Sequence, residues 1–249
     1  MLKEERHQII LNEVRIHNRV LLTDIAEILN VSVDTVRRDV KELHNGKKLN
    51  KVHGGAVSLG FSIYNYKEED IYLHKKKSII AQKAVPLLKD GNVVLIDGGT
   101  TNLEIARLLP HKLRLTFFTP SLPVAMQLLS HPNSKVIFIG GELSKDAQVT
   151  IGGTALTMLS DIRTDICFLG TGYLDPTHGL TEFDWEIIQL KRAMIKATKK
   201  TVLLTISDKL NSSQRYKTCD LNQIDTLITE LEPNADELNP FRDKISKLL

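Results

Sequence analysis

The sequence contains few cysteines and few aromatic residues. Of its 249 residues, two are cysteine and 5% are aromatic. Two cysteines are too few for a disulfide framework, and their wide separation argues against a cysteine-based zinc site. The eight histidines are scattered without the spacing of metal ligands. We therefore expect neither a metal nor another cofactor.

Long apolar runs and an N-terminal leader are also lacking. No apolar stretch approaches the length of about 18 residues that a membrane helix needs, and no charged segment followed by an apolar one opens the chain. We expect no membrane contact, and two reduced thiols suit a cytoplasmic protein. The length allows one small and one medium domain, with 42% hydrophobic and 25% charged residues.

A large charge excess of either sign is missing, but the small excess present is unevenly spread. The formal net charge is +3. Residues 32–56 hold six basic and three acidic residues, and the rest of the chain holds 27 of each. The whole excess therefore lies in one segment, as expected of a part that binds nucleic acid.

This basic segment begins with the pattern of an amphipathic helix. Ser32 can cap it by accepting from the backbone N–H of Asp34 or Thr35. One face is apolar at spacings of three and four, and its members are Val33, Val36, Val40 and Leu43. The other face presents Thr35, Arg37, Arg38 and Lys41. Arginine can bond two acceptors of guanine, and both cations can hold phosphates. The simpler interpretation is a solvated face with charges of both signs.

The flanking segments favour the DNA-binding interpretation. A short helix is predicted over 24–29 with Thr23 as its cap, and a three-residue turn, 30–32, separates it from the next helix. This is the helix-turn-helix layout, in which the second helix reads the major groove. A supporting helix is predicted over 4–15. Downstream, Gly46 and the pair Gly54–Gly55 bracket three lysines, which predicts a β-hairpin wing along the phosphate backbone.

A family resemblance becomes specific here. V-S-x-x-T-V-R-R-D-V-x-x-L at 31–43, followed by H-G-G-A at 53–56, resembles the N-terminal signature of the DeoR family of bacterial transcriptional regulators. The family usually has its wing glycine one position after Gly46. The resemblance implies DNA contact by the recognition helix. The residues predicted to contact DNA are Ser32, Thr35, Arg37, Arg38, Lys41, Lys48, Lys51 and His53.

Three parts are predicted: a winged helix-turn-helix domain at 1–57, a connecting segment at 58–75 and an α/β domain at 76–249. The connecting segment contains three tyrosines, and we expect it to pack on the second domain or on a sister subunit. In the second domain, strands are predicted at 93–96, 113–119, 136–139, 166–169, 202–206 and 226–228. Helices are predicted at 77–88, 103–109, 123–129, 155–159 and 185–196. This alternation predicts a mainly parallel sheet covered on both faces, with ligands at the carboxyl ends of its strands.

The passage D-G-G-T-T-N at 97–102 is the best candidate for a binding site in this domain. It joins a predicted strand to a predicted helix, whose free N–H groups and positive dipole end suit a phosphate. The alternative is a tight turn with a threonine cap and no ligand. The glycine spacing fits neither a Walker A loop nor a dinucleotide fingerprint.

Similar loops follow other predicted strands. They are Gly140–Glu142, 150–153, Gly170–Gly172, Gly179–Thr181 and Ser207–Lys209. Lys209 could place an ammonium beside an anionic ligand, or it could lie in an exposed Asp-Lys turn. Asp175 and Asp184 could each bond a sugar hydroxyl or simply cap a turn.

The order of these pieces across about 76–230 resembles the C-terminal effector domain of the DeoR family, which is similar in fold to ribose-5-phosphate isomerase. The resemblance implies a phosphorylated sugar or related metabolite as effector, with its phosphate in the 99–102 loop and two lysines nearby. The predicted effector-binding residues are Lys77, Asp97, Gly98, Gly99, Thr100, Thr101, Asn102, Gly140, Gly141, Gly170, Asp175 and Lys209.

The sequence thus predicts a DNA-binding regulator of carbohydrate metabolism, a repressor, that binds operator DNA as a homodimer or tetramer and is not an enzyme. One alternative is a sugar-phosphate isomerase with an attached DNA-binding head. Such an enzyme needs a positioned carboxylate base, and only Glu182 and Glu186 are at hand, without the glycine run of the isomerases. The other alternative is a DNA-binding protein whose large domain only oligomerises.

Overall fold

The computed structural model describes residues 1–17, 19–59, 73–145 and 147–249. The chain divides into two units, Met1–Tyr72 and Leu73–Leu249. Most of the predicted connecting segment, and with it the expectation about its packing, lies outside the described residues.

The N-terminal unit is a winged helix-turn-helix. Its helices are α1 (Lys3–His17), α2 (Leu22–Leu29) and α3 (Val33–Asn45). Its strands are β1 (Arg19–Leu21), β2 (Asn50–Val52) and β3 (Gly55–Val57), and the antiparallel sheet has the order β1-β3-β2. The predicted apolar spacing decides the packing, because Val36, Val40 and Leu43 of α3 join Ile10, Val14, Ile25 and Leu29 in one core.

Two local predictions in this unit are wrong. Helix α2 begins at Leu22 and has no side-chain cap, so Thr23 lies inside its first turn. The reason is that the chain passes directly from β1 into α2, and the N–H of Leu22 donates to the carbonyl of Gly54 instead. The hairpin turn is at His53–Gly54, between β2 and β3. Lys47 and Lys48 therefore precede the hairpin and do not lie on its strands.

The C-terminal unit is built on a seven-stranded parallel sheet. Its strands are β4 (Val93–Ile96), β5 (Leu115–Thr119), β6 (Ser134–Phe138), β9 (Ile166–Gly170), β12 (Thr201–Leu204), β14 (Thr226–Ile228) and β15 (Lys247–Leu248). The spatial order is β15-β14-β12-β9-β4-β5-β6, and each neighbouring pair is parallel. The predicted α/β architecture is confirmed.

Helices cover the faces of this sheet. They are α4 (His74–Ala84), α5 (Thr100–Arg107), α6 (Leu122–Leu128), α7 (Gly152–Ser160) and α8 (Trp185–Lys196). Helix α5 contacts α4 and α6, and α7 contacts α8. Leu159 and Leu190 of the second group pack with Leu95, Leu169 and Leu203 in one buried cluster.

Helix ends differ from prediction where a single residue controls them. Helix α4 ends at Ala84 and continues as a 3-10 turn, Val85–Leu87, because Pro86 lacks the N–H that an α-helix needs. Helix α5 begins three residues before its predicted start, directly after Gly99.

Two smaller sheets were not predicted. One has the order β10-β11-β13, formed by Tyr173–Asp175, Gly179–Glu182 and Tyr216–Cys219, and the other pairs β7 (Glu142–Leu143) with β8 (Thr150–Ile151). Gly179–Thr181 is thus part of a strand, and its prediction as a strand-end loop is wrong. No helix in the described part of the chain is long and apolar enough to span a membrane.

Candidate functional site

The residues predicted to contact DNA lie on α3, on the hairpin and between them. Thr35 is partly buried and the other seven are exposed. Ser32 caps α3 by accepting from the N–H of Thr35 at 3.2 Å, and the two hydroxyl oxygens are 2.9 Å apart. This confirms the predicted start of the helix. The cationic face of α3 is exposed to solvent.

The two arginines of α3 differ in their surroundings. Arg37 forms an ion pair with Asp34 one turn earlier, and both side chains are largely exposed. Arg38 makes no hydrogen bond or ion pair with any described residue and is exposed. Its guanidinium is therefore free to meet an acceptor on a partner molecule.

Sequence reasoning missed the ion pair beneath this face. Asp39 is 3% exposed and accepts from Arg6 of α1 through both oxygens, at 2.7 Å from Nε and 3.0 Å from Nη2. Burial opposes the charge of Asp39, but the hydrogen bonds and charge of Arg6 hold its pKa below the usual value. The available signal was spacing, because Asp39 follows Val36 by three residues and so lies on the buried face.

The second candidate site lies at the carboxyl ends of β4 and β9. Asp97 accepts from the N–H of Gly98 at 2.7 Å and from that of Gly170 at 3.2 Å. Asn102 donates its amide to the carbonyl of Gly98 at 2.8 Å, and its oxygen is buried without a hydrogen-bond partner among the described residues. A Cβ on Gly170 would lie 3.3 Å from the carbonyl oxygen of Gly98. These predicted residues are therefore brought together.

The first turn of α5 has no side-chain cap that would block a ligand. Gly99 has a φ of 95°, a conformation that side-chain-bearing residues rarely adopt, and no side chain caps the helix. The threonine cap of the alternative interpretation is wrong, since Thr100 and Thr101 lie within the helix. The backbone N–H groups at its start remain available as donors.

Two of the predicted lysines are buried near this loop. Lys77 on α4 is 6% exposed, and its ammonium forms no ion pair or hydrogen bond with a described residue. Burial lowers the pKa of Lys77 to about 8, although Glu104 opposes the shift. Lys209 is 8% exposed, which excludes the exposed-turn alternative, and donates to the carbonyl of Thr171 at 2.8 Å. Burial, followed by the charge of Lys77, lowers the pKa of Lys209 to about 7.

Ion pairs around these lysines hold the site in place. The turn that carries Lys209 is tied by Lys76, which pairs with Asp208 and, at 2.9 Å, with Glu230. Glu230 also accepts from the N–H of Ser207 at 2.9 Å. Lys76 and Glu230 were not predicted, because their partners are far away in sequence.

A buried pair of opposite charge was also missed. Lys191 on α8 pairs with Glu182 on β11, and both are almost fully buried. Burial disfavours the charge of Lys191, but Glu182 and Asp97 together raise its pKa. Lys191 lies three residues after Ile188 and three before Met194, and such a lysine on an apolar helix face was a readable signal.

The remaining predicted residues lie in other turns. Gly140 and Gly141 follow β6, and a Cβ on Gly141 would lie 2.7 Å from the carbonyl oxygen of Ile151. Asp175 accepts from the N–H groups of Thr177 and His178, each at 2.7 Å. Asp184 caps α8, as its simpler interpretation predicted. The chemistry of the site therefore centres on the 97–102 loop and the buried lysines.

Comparison with known proteins covers nearly the whole chain. Residues 6–60 match the family model of a DeoR-like helix-turn-helix domain, and residues 73–231 match that of the DeoR C terminal sensor domain. The HTH-type transcriptional regulator GolR of Listeria innocua is 30% identical over 96% of this chain and 95% of its own. The HTH-type transcriptional repressor GlcR of Bacillus subtilis is 31% identical over 94% and 91%, respectively.

Two further similarities are more remote. The glycerol-3-phosphate regulon repressor of Escherichia coli is 28% identical over 98% of this chain and 97% of its own. A solved ribose 5-phosphate isomerase A from Methanocaldococcus jannaschii is 20% identical, covering 58% of this chain and 55% of that chain, with a TM-score of 0.40. The last likeness is too weak to support an argument about mechanism. The two family models and the full-length relatives show that this chain belongs to the DeoR family of transcriptional regulators.

Proposed function

We propose that this transcriptional repressor binds operator DNA through α3 and the hairpin, and that a phosphorylated sugar or related dianion controls it from the C-terminal unit. The exposed cations of the first unit support the DNA role, since phosphate contacts come from such side chains. A DNA partner also supports a cytoplasmic location.

The observation that carries the effector proposal is the burial of Lys77 and Lys209. A buried charge is costly unless a partner compensates it, yet no carboxylate pairs with either ammonium among the described residues. A phosphate dianion between the two lysines and the start of α5 would supply two negative charges. It would also accept hydrogen bonds from the free N–H groups of the helix. The unpartnered oxygen of Asn102 would accept from a ligand hydroxyl nearby.

This proposal places the effector on Lys77, Lys209, Gly170 and the 97–102 loop. Gly140, Gly141 and Asp175 stay predictions as effector contacts. Binding can control the DNA-binding unit only if the effector favours one functional state over the other.

The test measures operator binding by fluorescence anisotropy on the DNA upstream of the gene, with and without glycerol 3-phosphate, ribose 5-phosphate, glucose 6-phosphate and their unphosphorylated counterparts. We expect a saturable response to at least one phosphorylated compound only. Lys209→Met should weaken that response by roughly 100-fold or more, since it removes a buried charge partner. The control Lys200→Met, at an exposed lysine, should respond normally.

Equal responses to phosphorylated and free sugars would contradict the site, as would a normal response of Lys209→Met. We also expect no catalysis, because Glu182 is held by Lys191 and by the N–H of Gly172 at 3.3 Å. Glu186 is exposed at the start of α8. Interconversion of pentose phosphates by the purified chain would favour the isomerase alternative.

A further inference from the structure

Helix α8 and strand β13 border a cleft that contains none of the residues predicted to bind the effector. The two elements contact each other, and the cavity beside them measures about 370 Å³, a size that suits a small molecule. We call it the α8–β13 cleft. Its lining includes Arg192 and Lys196 of α8, Lys217 and Thr218 of β13, and Asp220 and Gln223 of the turn that follows.

A β-bulge shapes one wall of this cleft. In the antiparallel pairing of β11 with β13, Lys217 aligns with Thr181 but Cys219 aligns with Leu180. Thr218 is therefore an extra residue without a partner on β11, and such bulges are frequent beside functional sites. Thr218 is 4% exposed, and its hydroxyl oxygen is buried without a hydrogen-bond partner among the described residues. A buried polar group of this kind is costly unless something bonds to it.

Arg192 is fixed at the bulge by groups that carry no charge. Its Nε donates to the carbonyl of Thr218 at 3.1 Å, and its Nη2 donates to the carbonyl of Lys217 at 2.6 Å. Its guanidinium carbon lies 5.8 Å from the centre of the Trp185 ring, within range of a cation–π contact. These contacts orient the guanidinium without neutralising it, and no carboxylate in the described part of the chain pairs with it. Its Nη1 keeps its hydrogens for another acceptor.

The cleft has an excess of two positive charges. Its cations are Arg192, Lys196 and Lys217, and among the described residues that line it Asp220 is the one carboxylate. Asp220 is already engaged, because it pairs with Lys217 and accepts from the backbone of Gln223. Lys196 is exposed, and its ammonium has no partner among the described residues.

The groups that remain for a ligand are mainly donors. Gln223 uses its side-chain oxygen to accept from the N–H of Asp220 at 3.3 Å, which leaves its amide nitrogen as a donor. The side chains of Arg192 and Lys196 can only donate. Donors beside uncompensated positive charge fit a ligand group that is negative and rich in acceptors. A phosphate monoester has nearly two negative charges at neutral pH and three strong acceptor oxygens.

We propose that the α8–β13 cleft is a second anion-binding site, which takes a phosphate-bearing small molecule through its phosphate group. The phosphate would accept from Arg192, Lys196 and Gln223 in charge-assisted hydrogen bonds, and its charge would match the excess of the cleft. The site is independent of the proposed effector site, because neither Lys77 nor Lys209 lines it.

Trp185 provides the measurement, because it is the single tryptophan of the chain and Arg192 lies over its ring. The tryptophan emission of the full chain is followed during titration with inorganic phosphate and with glycerol 3-phosphate. Potassium chloride at equal ionic strength is the control. We expect a saturable change with both phosphate compounds and none with the chloride.

Gln223→Glu is the most specific variant. Glutamate keeps an oxygen for the N–H of Asp220, so the turn should fold, but it replaces the donor amide with a negative charge. Phosphate binding should weaken by roughly tenfold or more, and Lys196→Met should weaken it by roughly tenfold. Lys200→Met is the matched control, since Lys200 is exposed and does not line the cleft. It should bind phosphate as the wild type does.

Lys209→Met separates this site from the effector site, because it should keep the full tryptophan response to phosphate. Loss of that response in Lys209→Met would place the phosphate at the effector site and overturn the proposal. So would a wild type without a saturable response, an equal response to potassium chloride, or normal phosphate binding by Gln223→Glu or Lys196→Met.

Discussion

The two units of this chain place their positive charges in opposite ways. In the N-terminal unit the cations predicted to meet DNA, such as Arg38, Lys41 and Lys51, are exposed on α3 and the hairpin. In the C-terminal unit the two lysines predicted to bind the effector, Lys77 and Lys209, are at least nine-tenths buried.

Under the proposed function, the exposed and the buried cations bind two different kinds of anion. Duplex DNA is an extended polyanion, and exposed cations bind it by releasing counterions, so binding weakens as salt rises. A small dianion can instead enter a site where the lysines have been desolvated in advance. Because burial lowers the pKa of both lysines, binding there should depend on pH more than on salt. Under the proposed function, burial alone would let the same residue type serve two modes of recognition.

The largest effect is expected at the exception to this comparison, the ion pair of buried Asp39 with the partly exposed Arg6 in the N-terminal unit. Asp39→Ala removes the carboxylate that accepts two hydrogen bonds from Arg6, and it should lower the free energy of unfolding of that unit by about 3 kcal/mol. Chemical denaturation of the full chain measures this. Asp34→Ala, at an exposed helix position, is the control and should change stability by less than about 0.5 kcal/mol.

Acid should have the same effect as the Asp39 substitution. Since the pKa of Asp39 is lowered in the folded state, its stabilisation is present above the ordinary carboxyl pKa and is lost as pH falls through the lowered value. If Asp39→Ala unfolds like the wild type, the pair is not a support of α3.

An intermediate effect is expected on the exposed side. Arg38→Ala should weaken operator binding by about 1–3 kcal/mol if its free guanidinium reads a base, and should reduce discrimination at one base pair. Lys48→Ala should weaken binding to all sequences alike and lower the slope of log affinity against log salt by about one. Anisotropy titrations at several salt concentrations distinguish the two. Unchanged operator binding by Arg38→Ala would argue against α3 as the reading helix.

The smallest expected effect is the dependence of effector affinity on pH, which tests the comparison between buried and exposed cations most directly. Above pH 7 Lys209 of the free protein loses its proton, while a bound dianion would restore it. Effector affinity should therefore fall roughly fivefold between pH 7 and 8, where a phosphate monoester is already dianionic. Calorimetry in buffers of different ionisation enthalpy should show proton uptake on binding. Operator affinity of the effector-free protein should change less, and a flat effector profile would show that Lys209 does not bind the anion.

Much of the fold could be predicted because it depends on short-range periodicity. Several elements lie where the sequence placed them: the apolar face of α3, the strands Val93–Ile96 and Thr226–Ile228, and the helix Trp185–Lys196. Errors arose where a distant backbone intervened. The predicted start of α2 was wrong because the N–H of Leu22 donates to the carbonyl of Gly54. The sequence also did not show that Gly55 of the H-G-G-A motif packs against β1, where a Cβ would lie 2.3 Å from the carbonyl oxygen of Val20.

One departure from the family pattern has a backbone explanation. Lys47 occupies the position where the family usually has glycine, and its φ is 52°. This is the left-handed conformation that glycine favours, and a lysine adopts it at a conformational cost of about 1 kcal/mol. The sequence indicated a shifted glycine, and the backbone shows that the position without glycine is left-handed.

The sequence by itself determined the alternation of the main helices and strands, the location of the basic segment and the loop that joins β4 to α5. Only the tertiary structure decided which charges are buried and with which partners. Arg6 meets Asp39 across 33 residues and Lys76 meets Ser207 across 131, and no local pattern encodes such separations. The protonation of Lys77 and Lys209 depends on this burial, because the energy of a charge is set by the solvent and the neighbours around it rather than by its place along the chain.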